Sequence, residues 1–569
     1  MRNRFISHIQ RALIAVGIVV VAQGCKIDIL PTDRYTEEAV WSNPANMELY
    51  VNGLYNEFKT FKFGTFPIGY DNATDALTDI EKFTSSVSGN GTVNILAMDA
   101  SRVNAAGPQL NYWSAGYERI RRANEFIDGL YKYGKADEAT KKQFEAEARF
   151  VRGFSYFWLV KLHGSVVLFN NIAQYQKKEN PRSSEEECWK FIAADFAFAA
   201  ENLPKQWPSS KTGKATKGAA YGMLARTWLY AASIAEFDKK QFNQDPLTGV
   251  AAGNAQAYYK NAADAATAVV NLANEGLYEL DDFSSLFLNK NTKEAIYKID
   301  YLAPQLTHDF DLGYAPAGDI PGQGLVYGVP TAELVDEFEM KDGTKFSWNN
   351  ATQAANPYDN REKRFYGSIL YNGAAWKKRT INTTPSDPKE GFMEYAVTTE
   401  PKKTVTGYYM RKMLNPASDY DFVVNKSAQS WIELRYAEVL LIQAEAKAMM
   451  NDIGGAQTAL NTLRNKRELP DTQADTKEKL MTAIEHERKV ELAFEGHRYW
   501  DLRRWRKAHI VLNGVKFTGH KITPQGGGFK YEVVPCDNMN RQFTPALYYI
   551  PIPVGELQNN TALSQIKGW

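Results

Sequence analysis

The pattern that decides most about this chain lies in residues 148–162, where apolar side chains surround more than half of a helical wheel. Phe150, Phe154, Phe157 and Val160 recur at spacings of three and four, which predicts a helix buried between neighbours rather than one laid on a surface. One such helix cannot be stable alone, so the chain has to supply partner helices on several sides. Gly164 follows and predicts the stop. Trp113, Tyr117, Ile120 and Asn124 repeat the spacing, so residues 111–203 read as largely helical. Helical pattern continues at 185–201, 216–235 and 255–272, then returns at 431–450, 455–467 and 477–494.

Within 216–235 the small residues Ala219, Ala220, Gly222 and Ala225 stand among Leu224, Trp228 and Leu229. This small-against-large pattern resembles tetratricopeptide packing of helical pairs, although no strict repeat period is visible. Between the early and late helical blocks, from about 278 to 430, the period fades into Gly, Pro, Asn, Asp and Tyr. That composition predicts short strands and long loops. The fold class expected is therefore mainly α: a tetratricopeptide-like frame of helical pairs with a loop-rich second domain containing short strands. The boundaries expected are 25–277 for the first domain and 278–569 for the second, with 278–430 as its insertion. Loops carried on a rigid frame are a common way to build a binding surface.

With 67 basic and 66 acidic residues, the chain has a formal charge of +1 and no electrostatic footprint for nucleic acid. Its first residues read as an address. Arg2, Arg4 and Arg11 precede an apolar run over 12–22, too short to span a bilayer and right for a signal-peptide core. The run ends in Ala22-Gln23-Gly24-Cys25, which resembles a bacterial lipobox, with Gln23 a slight departure. Residues 1–24 are then a signal peptide and Cys25 is lipidated, the alternative being an ordinary cleaved signal beside a chance cysteine. Cleavage there removes three basic residues and no acidic one, which turns +1 into −2. Cys188 and Cys536 have no Cys or His nearby at ligand spacing and read as buried free thiols.

Several segments together resemble the SusD/RagB family of Bacteroidetes outer-membrane lipoproteins. Early in the chain they are Tyr117-Glu-Arg-Ile-Arg-Arg-Ala-Asn124, Ala148-Arg-Phe-Val-Arg-Gly-Phe-Ser-Tyr-Phe-Trp and Lys217-Gly-Ala-Ala-Tyr-Gly-Met-Leu-Ala-Arg226. Mid-chain come Pro330-Thr-Ala-Glu-Leu-Val-Asp336, Asp342-Gly343 and Asn360-Arg361. Later matches are Arg435-Tyr-Ala-Glu-Val-Leu-Leu-Ile-Gln-Ala-Glu-Ala446, Leu460-Asn-Thr-Leu-Arg464 and Phe494-Glu-Gly-His-Arg-Tyr-Trp-Asp-Leu-Arg-Arg-Trp505. Tyr549-Ile-Pro-Ile-Pro553 and Gly568-Trp569 close the series, with Ile566-Lys567 departing from the usual Asn-Pro. Each motif alone is weak, and their order over nearly the full length is what makes the match specific. The resemblance implies a non-enzymatic protein that captures a glycan at the cell surface as the lid of a SusC-like TonB-dependent transporter. It also implies anchorage to the outer membrane, facing outward; Lys26 and Asp28 weakly resemble the family's export signal.

The charged row Glu487, Glu491 and Glu495 lies on one helix face and invites a glycosidase reading, since a sugar hydrolase needs two carboxylates about 5–10 Å apart. Arg488, Arg498, Arg503 and Arg504 interleave with the acids, together with Asp501, and lower carboxylate pKa, which is wrong for a general acid. A structural ion-pair network is the expectation. The seven histidines show no metal-ligand spacing, so neither a metal nor a cofactor is expected, and Gly526-Gly-Gly528 reads as a plain turn. Trp113, Trp158, Trp228, Trp431, Trp500 and Trp505 read as core, whereas Trp207, Trp348 and Trp376 sit in polar loops. A sugar presents an apolar C–H face and a rim of hydroxyls, so its site wants a flat ring beside polar partners. Trp376 beside Lys377, Lys378 and Arg379 fits, as does Tyr314 between Gly313 and Asp319. The family's glycan lies where an N-terminal loop region faces the second domain, which adds Asp71, Asn72, Asn104 and Tyr395 as ligand candidates. The competing functions are an all-helical glycoside hydrolase and a tetratricopeptide scaffold that binds only protein.

Overall fold

In a computed structural model of the protein, residues 37–56, 58, 74–84, 97–106, 110–238, 244–319, 326–395, 402–417 and 426–569 are described. The leader, Cys25, Asp71 and Asn72 lie outside these residues. Helix α1 (Pro44–Asn56) lies across α2 (Trp113–Tyr133) and α3 (Glu138–His163). From α2 each helix packs on the next, through α3, α4 (Glu185–Asn202) and α5 (Lys217–Phe237) to α6 (Ala255–Asn274). The series does not end there. After an excursion of some 160 residues, α7 (Tyr436–Met449) packs directly on α6, and α8 (Ile453–Lys466) and α9 (Lys477–Glu491) pack on α7 and on each other. The early and late helical blocks are thus one continuous stack, and a boundary at 277 falls between two touching helices.

Local chemistry sets the ends. The Asp137 carboxylate accepts from the Thr140 N–H and starts α3, and Ser184 with Glu187 forms a reciprocal capping box at the start of α4. Gly164 ends α3 with φ +71°, its N–H donating to Val160. A Cβ there would fall 2.5 Å from the Tyr549 ring, so glycine is needed for conformation and for space. Between Phe144 and His163 only Arg149 and Lys161 escape burial, as expected for a helix enclosed on several sides. Small residues of α5 do give room to large neighbours, though here these lie outside the paired helices: Gly222 accommodates the Leu434 side chain of the strand Trp431–Arg435, and Gly218 accommodates Tyr278.

Most strands are short, and some of their pairings close long connections. Those that bear on the site are β1 (Glu81–Phe83), β2 (Ala295–Ile299), β3 (Gly328–Pro330), β4 (Ala375–Trp376), β5 (Arg379–Thr380), β6 (Trp431–Arg435), β7 (Thr518–Gln525) and β8 (Gly528–Pro535). Antiparallel β2 and β6 join the two ends of the insertion. Antiparallel β1 and β3 bind the N-terminal loop region to it, with Glu81 opposite Pro330 and Phe83 opposite Gly328. Strands β7 and β8 form a hairpin whose turn residues Gly526 and Gly527 have φ +60° and +84°, the left-handed pair that a two-residue turn requires.

The acidic row is the junction of these parts. Glu491, wholly buried, pairs with Arg435 at 2.6 Å, Arg467 at 2.8 Å and Arg364 at 3.0 Å. Arg435 also holds Glu294 (2.8 Å) and Glu495 (2.6 Å), Lys412 reaches Glu495 (2.6 Å), and Glu487 is shared by Arg364 and Arg464. Of the interleaved arginines, Arg488 and Arg504 converge on Asp501 and Arg498 takes Asp79, while Arg503 donates to the Leu162 and Tyr548 carbonyls. Burial alone would raise the Glu491 pKa, but the three guanidinium charges outweigh it and hold the carboxyl well below the usual range. Glu491→Gln should therefore lower unfolding stability by about 3–5 kcal/mol in a urea titration. Asp264→Asn, which breaks the exposed Lys260–Asp264 pair, should change it by less than about 0.5 kcal/mol.

Candidate functional site

The nominated loop residues fall into two groups. Around the β1–β3 pairing, Tyr314 stacks on Phe310 with centroids 4.7 Å apart and lies against Gly328, where a Cβ would collide with both Glu81 and Tyr314. Tyr395 lies half-buried over the Lys82 ammonium, 4.0 Å from it, and Lys82 pairs with Asp537 at 2.9 Å. Trp376 is joined to this region through Asp319, whose carboxylate accepts from the indole N–H at 3.0 Å and also pairs with Lys377 and Arg379. Arg379 reaches on to Glu390 at 2.7 Å. Asn104 is in the second group, exposed and bonded to its own turn, beside Ala105, whose carbonyl accepts from the Val554 N–H near the C-terminus.

This placement corrects two expectations. Tyr314 and Trp376 are each only 2% exposed, so neither offers an open face on which a sugar ring can stack. The residues around Trp376 are polar, but the tight β4–β5 pairing turns the indole inward and turns Lys377 and Arg379 onto Asp319. Trp207 and Trp348 are also half-buried, their indole N–H groups donating to Ala215 O and Asp336 respectively. Of the six tryptophans assigned to the core, five are buried and Trp228 is half-buried against Tyr258.

Two open clefts lie on the helical frame instead. The first, about 320 Å³, is lined by α1, the 210–214 loop and β2. Its charges are already committed: Lys214 to Glu48 and Glu147, Lys211 to Glu48, and Lys298 to Asp300. Burial raises the Glu147 pKa to about 7, partly countered by Lys214. The second, about 350 Å³, lies between the start of α2, the 167–180 segment and the C-terminal helix α10 (Val554–Asn559). Trp113, Tyr117, Phe169 and Tyr175 line it, alongside Lys177, Lys178, Asn180, Glu556 and Asn560. Trp113 is buried, as its spacing predicts, and borders the cleft, while Tyr117 is half-buried. Tyr175-Gln-Lys-Lys-Glu-Asn180 carries the same aromatic-beside-lysine signal as the Trp376 loop.

The acidic row is no catalytic pair in this arrangement, because Glu487 and Glu491 are fully buried and Glu495 nearly so, each held by cations. Cys188 and Cys536 are buried free thiols whose pKa values burial pushes up. Among the described residues, no group of three or more His, Cys, Asp or Glu is placed to hold a metal ion, and no helix is long and apolar enough to cross a membrane.

Comparison with known proteins fits this architecture. Residues 289–569 match the model of the SusD family, and residues 42–229 match a family described as starch-binding and associating with the outer membrane. The chain belongs to the SusD/RagB family. Carbohydrate binding and association with the outer membrane are the properties that membership carries. SusD-like protein P2 of Formosa agariphila is 24% identical over 96% of this chain and 97% of its own. A crystal structure of a SusD-like protein from Bacteroides fragilis superposes with a TM-score of 0.76 at 27% identity, covering 95% of this chain and all of that one. A second SusD-like structure from the same species, titled a carbohydrate-binding protein, gives 0.75 at 24% identity over 92% of this chain and 99% of that one.

Two outcomes separate packing from binding here. Trp376→Ala should cost about 3–5 kcal/mol of unfolding stability, as loss of a buried indole does. Because the folded pKa of Glu147 lies above its unfolded value, the stability it confers is present below about pH 4.5 and is lost as pH rises through 7. Glu147→Gln should therefore gain on the parent as pH is raised from 4 to 8 in paired denaturation curves.

Proposed function

We propose that this protein captures a glycan at the cell surface and passes it to a SusC-like TonB-dependent transporter in the outer membrane, without cleaving it. The observation that carries this reading is the pair of family matches over residues 42–229 and 289–569, on a chain whose stack matches SusD-like structures. Attachment through a lipid on Cys25, after removal of residues 1–24, completes it, with 25–277 and 278–569 as domains in sequence whose helices share one stack. The pairing of β1 with β3 supports a ligand region where the N-terminal loops face the second domain. Tyr395 is the nominee in described residues that still presents surface there, Asn104 presents surface in its own separate turn, and Asp71 and Asn72 stay nominees outside the described residues. The glycosidase alternative is disfavoured by the cation-locked acidic row.

The purified chain should bind at least one oligosaccharide on a broad glycan array and release no reducing sugar from it. Silence across the array, with retention of a protein partner, would favour the scaffold reading instead. In cells, Cys25→Ala should move the protein out of the outer-membrane fraction, and the parent should co-purify with a β-barrel transporter.

A further inference from the structure

The second cleft has walls of opposite character. One is aromatic and rigid: Phe169 and Tyr175 stack at 4.4 Å with planes 9° apart, Tyr117 meets Phe169 edge-on at 5.8 Å, and Trp113 lies 4.9 Å from Tyr117. The polar ends of these tyrosines are already engaged. The Tyr117 hydroxyl donates to the Val167 carbonyl and accepts from the Val167 N–H, both at 2.9 Å, and the Tyr175 hydroxyl accepts from Asn124 at 3.3 Å. The part of these rings left to the cleft is carbon.

The other wall is polar and divided in its commitments. Asn560 staples the C-terminal segment to the loop, its amide accepting from the Asn180 N–H (3.1 Å) and donating to the Asn180 carbonyl (2.7 Å). The ammonium groups of Lys177 and Lys178 and the carboxylate of Glu556, by contrast, make no ion pair or side-chain hydrogen bond among the described residues. The first cleft differs in this respect, since its lysines and acids are paired. Aromatic rings beside charged groups that have no protein partner among the described residues are an arrangement a ligand can complete, and the volume is within the usual range of about 300–1,000 Å³.

We infer that this cleft is a second glycan-contact site, taking a sugar that carries a carboxylate or sulfate group. The inference rests on the glycan-binding reading above and adds the place and the ligand class. The half-buried rings of Tyr117, Phe169 and Tyr175 accept the C–H face of a pyranose. Lys177 and Lys178 supply charge-assisted donors to its anionic substituent, and Glu556 accepts from ring hydroxyls. Two cations against one anion give the site its preference. None of its lining residues belongs to the loop cluster around Tyr314, Trp376 and Tyr395.

The test is titration of the full chain with oligogalacturonates, oligomannuronates and sulfated galactan oligosaccharides, alongside neutral malto- and laminari-oligosaccharides. At least one acidic probe should bind, more weakly as salt is raised. Lys177→Gln with Lys178→Gln should weaken that binding about tenfold, with an unchanged melting temperature because both side chains are exposed. Tyr175→Ala should weaken it as much; if that variant does not fold, the lysine pair decides. Full affinity for the acidic probe in the lysine variant overturns the inference. Binding of neutral probes alone overturns it while leaving glycan capture intact, and silence towards every probe overturns both.

Discussion

The buried cluster around Glu491 is the interaction on which the rest of the structure depends. Its members come from the insertion (Glu294, Arg364, Lys412), from the strand that closes it (Arg435) and from the late helices (Arg464, Arg467, Glu487, Glu491). Removing so many charges from water is costly, and a set of apolar residues of equal volume would often be as stable. What the ions add is direction. A guanidinium shared between Glu294, Glu491 and Glu495 fixes the relative position of three segments more narrowly than an apolar contact, because hydrogen bonds are lost on small displacements. The loop cluster and β3 are built outward from that fixed base.

Much of the frame is legible from residue spacing, and the reason is local. The wide apolar stripe of α3, the glycine that ends it and the Gly526–Gly527 turn each reflect conformations set within a few residues. The network is legible only by half. The spacing of Glu487, Glu491 and Glu495 announces a charged face, but their partners Arg364, Arg435, Arg464 and Arg467 are brought in by tertiary packing. Trp376 shows the same limit with the opposite result. Its polar neighbours suggest an exposed ring, while the residue that draws it inward, Asp319, lies 57 positions away. In the second cleft, Tyr117 keeps the spacing of a core residue yet lines an opening, because its neighbours there are the 167–180 segment and a short C-terminal helix rather than another long helix of the stack.

The handover from α6 to α7 reorders the usual picture of two domains in sequence. The stack is interrupted in the chain but not in space, and the family models, ending at 229 and beginning at 289, lie on either side of α6. The polypeptide leaves the stack after α6, builds the loop-rich region, and returns through β6 to the neighbouring position.

The β2–β6 pairing gives that excursion two ends held side by side. A connection with fixed, adjacent ends can be lengthened at little thermodynamic expense, since each doubling of a flexible loop adds only about 0.6 kcal/mol of closure entropy. The loops between 300 and 430 that do not carry Arg364 or Lys412 can therefore drift in length and surface chemistry while the stack and its ionic base keep their form. Surface shape is free to diversify along one stretch of a chain whose frame is held nearly constant.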